Sequence, residues 1–147
     1  MTSRAADDTP AIEDETLALK LGRIEACSMH IRDDLGRNLL HAYVACLSAA
    51  ELRTATLRYL EADQVLIRAL RTRLIRVGND GGNTSELDRL SADLIALPAR
   101  GRRIGPRTDS LLSAIYPFLS VEARKAILDR WFDRGNKAAA ARWLKAM

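Results

Sequence analysis

Leu66, Leu70, Leu74 and Val77 fall at i, i+4, i+8 and i+11, so one apolar side chain returns to the same face at each turn of a helix. Stripes of this period fill most of the sequence, built from Leu, Ala, Arg and Glu, while the two-residue alternation of a half-buried strand never lasts. The chain is therefore expected to be all-α, with six or seven helices packed as a helical-repeat-like bundle. Its 147 residues, 48% of them hydrophobic, are enough to bury a core without disulfides or a metal.

Local signals set the expected boundaries. Thr9-Pro10 offers an N-cap ahead of a proline at the first helical position, and Ile12, Leu17, Leu21, Ile24 and Ile31 predict a helix over about 10–31. Asp33, Asp34 and Gly36 interrupt it, and a shorter helix carries Leu39, Leu40, Tyr43, Val44 and Leu47. Ser48-Ala49-Ala50-Glu51 has the form of a capping box, in which the hydroxyl and the carboxylate each satisfy a backbone donor. The pattern then passes a break near Ala62-Asp63 and runs on to Val77. Gly78 to Asn83 predicts a connector, since glycine and asparagine favour turns. Ser85 and Asp88 are candidate caps for the next helix, which stops at Leu97-Pro98. Thr108 or Asp109 is expected to cap another, ended or kinked by Pro117, Ser120 to start the next, and Asn136 to cap the last.

The sequence also repeats itself. Leu39-Leu40-His41-Ala42 matches Leu111-Leu112-Ser113-Ala114, and Leu47-Ser48 matches Leu119-Ser120; after one deleted residue, Glu51, Arg53, Ala55 and Leu57 fall on Glu122, Arg124, Ala126 and Leu128. The matched positions are mainly core and cap positions, which is what a repeated helix pair keeps. The expected organisation is an acidic, disordered tail over 1–9, a first helical unit over 10–78, a Gly/Asn connector over 79–83 and a second unit over 84–147. The stretch Leu111 to Met147, with Glu122-Ala123-Arg124 and the run Ala138-Ala139-Ala140-Ala141-Arg142-Trp143-Leu144, resembles the α-helical repeats of HEAT and armadillo proteins. That resemblance implies units of antiparallel helix pairs and a binding surface rather than a reaction.

Charge is distributed unevenly. Residues 1–16 hold one Arg and five acids, while residues 17–147 hold 22 basic and 14 acidic residues, a surplus of +8. Of the 23 basic residues 19 are Arg, the side chain suited to bidentate contact with carboxylates and phosphates. Arg68, Arg71 and Arg76 share the polar side of one helix, with Arg73 beside them, and a basic loop adds Arg100, Arg102, Arg103 and Arg107. If the two converge they form a patch for phosphates or for an acidic partner. Five of the seven aromatics, Tyr116, Phe118, Trp131, Phe132 and Trp143, stand at helical spacing in the second unit, as core residues rather than stacking platforms for bases.

Cys27, His30, His41 and Cys46 are the zinc candidates. Cys27 and His30 share a helical face, whereas His41 and Cys46 are five residues apart and point about 140° away from each other on a helix. The simpler expectation is two buried cysteines, partly exposed histidines and no bound metal. Phosphate loops, nucleophile elbows and dinucleotide fingerprints do not occur in the sequence. Neither a catalytic site nor a cofactor is expected. The longest apolar run, Ala42 to Leu47, is far short of a membrane span, and a soluble, cytoplasmic, bacterial-type protein is expected. The expected function is non-catalytic binding of another protein or of a second copy, as adaptor, regulator or subunit, with nucleic-acid binding through the arginines as the alternative.

Overall fold

The computed structural model describes residues 17–97, 106–133 and 137–146, and among them it is all-α, without strands. The helices are α1 over 17–28, α2 Asp34–Ala45, α3 Ala49–Arg58, α4 Gln64–Asp80, α5 Thr84–Ala96, α6 Pro106–Ile115, α7 Val121–Asp133 and α8 Lys137–Ala146, with a 3₁₀ turn Tyr116–Phe118 between α6 and α7. The tail over 1–9, the first turns expected for α1, the loop with Arg100, Arg102 and Arg103, and the Asn136 cap lie outside the described residues.

Side-chain caps open α2, α3, α4 and α7. At α3 the capping box is complete: the Glu51 backbone N donates to Ser48 Oγ at 3.2 Å and the Ser48 backbone N to Glu51 Oε1 at 2.9 Å. Asp33 caps α2 and Asp63 caps α4, each carboxylate accepting from the backbone two residues on. Ser120 Oγ accepts from the Ala123 N–H at 3.2 Å at the start of α7. Pro117 falls inside the 3₁₀ turn, where its missing N–H and fixed φ end the α-helical ladder.

Several boundaries differ from expectation. Helix α1 ends at residue 28 and gives way to turns over 29–33, because Gly36 approaches the His30 backbone so closely that a Cβ would lie 2.9 Å from the His30 carbonyl carbon. Helix α4 continues through Gly78 to Asp80, and the break is confined to Gly81, Gly82 and Asn83; the two glycines have φ of 75° and 73°, the left-handed region that stops a helix. Asn83, not Ser85 or Asp88, precedes α5, and its side-chain amide donates to the carbonyls of Val77 and Gly81. Asp88 accepts instead from the Ser120 backbone N at 3.0 Å, joining α5 to the start of α7. Helix α6 begins at Pro106, ahead of the expected Thr108 or Asp109 caps, and Thr108 is buried.

The helices pack in two layers. In one, α2 lies against α4 and α4 against α6; in the other, α3 lies against α5 and α5 against α7, with α3 on α4 and α5 on α6 joining the layers and α8 packed on α7. Helix α1 extends the second layer. Lys20 Nζ reaches Glu51 Oε1 at the start of α3, while Glu25 accepts from the Tyr59 hydroxyl and meets Arg58 at its end, so α1 and α3 run parallel. The repeated segments occupy α2–α3 and α6–α7, each giving one helix to each layer. One apolar cluster extends from Leu21 to Ile127 across the Gly81–Asn83 break, with Leu40, Leu52, Leu70, Leu90 and Leu111 fully buried. Burial of each such side chain stabilises the fold by roughly 1.5–3 kcal/mol.

Candidate functional site

The arginines divide by what their guanidinium groups meet. Helix ends leave carbonyls without intrahelical partners, and four corners of this fold fill them with arginine. Arg37 Nη1 donates to the Ile31 carbonyl at 3.0 Å, at the α1–α2 corner. Arg73 Nε and Nη2 donate to the Leu47 carbonyl at 3.1 and 2.9 Å, between α2 and α3. Arg107 Nη1 donates to the carbonyls of Leu60 and Ala62, between α3 and α4, and Arg124 to those of Tyr116 and Pro117 before α7. Arg53 bridges layer neighbours, joining α3 to Glu86 and Asp93 of α5. These side chains hold helices together. Arg107, expected on the binding patch, is half-buried at its corner and does not join the exposed row on α4.

Arg68, Arg71 and Arg76 differ. They stand exposed along α4, the middle helix of its layer, with Arg71 and Arg76 about 140° apart on either side of Arg68, and have no hydrogen-bonding or ion-pairing partner among the described residues. Leu66, Leu70, Leu74 and Val77 bury the opposite face and orient the helix. Arg68 with Arg71, and Arg73 with Arg76, are like charges three residues apart, an arrangement that destabilises an isolated helix by about 0.2–0.5 kcal/mol per pair.

Beside this row runs a groove of about 490 Å³ between α2 and α4, lined by His41, Ala45, Ala69, Thr72, Arg73 and Arg76. Its lining holds two alanines, two guanidinium groups, an imidazole and a hydroxyl, without a carboxylate. Its chemistry suits a carboxylate- or phosphate-bearing ligand. Nothing local in the sequence marked His41 as a groove residue, because its neighbours there lie on the next helix of the layer.

The sulfur and imidazole candidates do not form one cluster. Buried Cys27 and exposed His30 line a second groove, of about 380 Å³, between α1 and α2, together with Arg23, Asp33, Leu35 and Tyr43. His41 faces the α2–α4 groove instead, on the other flank of α2. Cys46, expected to be buried, is exposed, because it is the C-cap residue of α2 with its backbone turned onto the carbonyls of Tyr43 and Val44. Among the described residues no three of His, Cys, Asp and Glu stand together as a metal site would require.

Among the described residues no helix is long and apolar enough to cross a membrane. Compared with family models, with curated proteins and with solved structures, the chain matches none.

Proposed function

We propose that the chain is a cytoplasmic, non-catalytic protein-interaction module, an adaptor, regulator or subunit of a complex, that holds an acidic segment of its partner along α4 and in the α2–α4 groove. The observation that carries this reading is the row Arg68, Arg71 and Arg76, three exposed cations without partners among the described residues, in a chain that uses at least four other arginines as corner ties. Arginine favours a carboxylate partner because its planar fork matches two oxygens at once.

A polypeptide fits this face better than a nucleic acid. Arg68 to Arg76 is eight residues, a span of about 12 Å, and among the described residues this face offers three partner-free guanidinium groups, few beside the 6–10 phosphate contacts that give a DNA-binding protein a steep salt dependence. Tyr116 is buried and Tyr43, Tyr59 and Phe118 are half-buried, leaving none of them as an open platform for a base. Ala45 and Ala69 in the groove lining offer apolar contact to a peptide backbone and its side-chain stems.

The test is fluorescence anisotropy with a labelled oligo-glutamate peptide and, in parallel, a single-stranded oligonucleotide of equal charge. The expected result is that the peptide binds, that salt weakens it, and that R68E/R71E/R76E abolishes binding while the thermal transition is unchanged. Binding of the oligonucleotide alone would transfer the face to nucleic acid, and binding of neither would remove the reading.

A further inference from the structure

We propose that the acidic segment ahead of α1, residues 1–16, is itself an occupant of the α2–α4 groove, folded back on its own chain and competing with the external acidic partner. This rests on the reading of that groove as a site for acidic segments, and it adds a ligand and a form of regulation to it.

Three observations converge on this occupant. The first is charge: the segment carries Asp7, Asp8, Glu13, Asp14 and Glu15 against a single Arg, and the groove and the row beside it carry arginines without a carboxylate among them. The second is the point of departure. Lys20, one turn into α1, donates to the Cys46 carbonyl at 3.2 Å, and Arg73, a groove residue, donates to the adjacent Leu47 carbonyl. The first described turn of α1 and the groove therefore meet at the same α2–α3 corner. The third is reach. The expected tail, residues 1–9, spans up to about 30–32 Å when extended, against about 26 Å for α4 with its 17 residues, so the tail is long enough to run the length of the row.

Each contact is an exposed ion pair and weak by itself, so occupancy comes from several pairs and from tethering. A short tether holds its ligand at an effective concentration in the millimolar range. Such a contact is labile to salt and yields to a partner that presents more carboxylates in better register.

The experiment compares amide spectra of the full ¹⁵N-labelled chain with those of a variant neutralised ahead of α1 (D7N/D8N/E13Q/D14N/E15Q). At low salt the amide signals of Thr72 and Arg76 are expected to differ between the two proteins, while that of Thr54, on the other layer, coincides. The difference is expected to collapse between about 0.01 and about 1 M salt, where the screening length falls from about 30 to about 3 Å, and to be unchanged on dilution. Coincident groove signals at low salt would overturn the proposal, and a difference that vanishes on dilution would reassign the contact to a second copy and overturn it equally. Titration of oligo-glutamate into the neutralised chain separates this from the groove reading: peptide binding there keeps the groove as an acidic site even if the spectra coincide, and its absence removes the groove itself. With both correct, the neutralised chain binds the peptide about tenfold more tightly than the native one.

Discussion

Gly78 of α4 gives the space of its missing side chain to the ring of Phe118: a Cβ built there would lie 2.7 Å from Cε2 and nearer still to Cγ and Cδ2. Phe118 closes the 3₁₀ turn after α6, so this one glycine lets α4 and α6 approach at their C-terminal ends.

Gly78→Ala is therefore expected to destabilise the protein by about 1–3 kcal/mol, as overpacking does, although alanine is the better helix former. Gly22, in α1 with open space around it, gives the opposite sign: Gly22→Ala is expected to stabilise by about 0.5–1 kcal/mol. Denaturant unfolding of the two single variants checks both. Equal effects would mean that the Phe118 ring yields without loss.

The corner arginines and the row on α4 are expected to separate by stability. Arg107→Ala leaves the Leu60 and Ala62 carbonyls without their charged donor and is expected to lower stability by about 1–3 kcal/mol. Arg71→Ala, which removes an exposed side chain without a partner among the described residues, is expected to stay within about 0.5 kcal/mol of wild type. Chemical denaturation distinguishes them, and an Arg107 variant as stable as the Arg71 variant would return Arg107 to the pool of binding arginines.

Two groups give the stability a definite pH dependence. Burial raises the pKa of Glu51, but the Lys20 ammonium and the Ser48 N–H and hydroxyl act against it and leave the carboxyl below its ordinary value. The folded state thus holds that proton less readily than the unfolded chain. The stabilisation is complete above the ordinary carboxylate range and is lost as pH falls through the lowered value. Glu51→Gln keeps the capping geometry, and it is expected to cost about 1 kcal/mol at neutral pH and to flatten the acid limb. At the alkaline end, burial and the Glu25 carboxylate, which accepts the Tyr59 hydroxyl proton, push the Tyr59 pKa well above that of a free tyrosine. This stabilisation is present below about pH 10 and drains as the unfolded chain ionises first, so Tyr59→Phe is expected to remove that part of the alkaline loss. Thermal transitions measured across pH follow both limbs.

What the sequence determined by itself is what a few adjacent residues decide. The Ser48–Glu51 capping box, the Asp63 break and the Ser120 start are legible because donor and acceptor lie within one turn, and the Leu66-to-Val77 stripe is legible because a helix repeats within four residues. Tertiary structure decided the rest. Gly78 looks like the start of a connector until Phe118 arrives across the layer to occupy its space. Asp88 looks like a cap until the Ser120 N–H, 32 residues on, takes its carboxylate. Arg73 and Arg107 look no different from Arg68 and Arg71, because the carbonyls they bind lie 26 residues away for Arg73 and 45 to 47 for Arg107. A guanidinium on a long, flexible stem binds whatever acceptor the packing of helices brings to it. Only the fold therefore separates the arginines that tie corners from the row left facing outward.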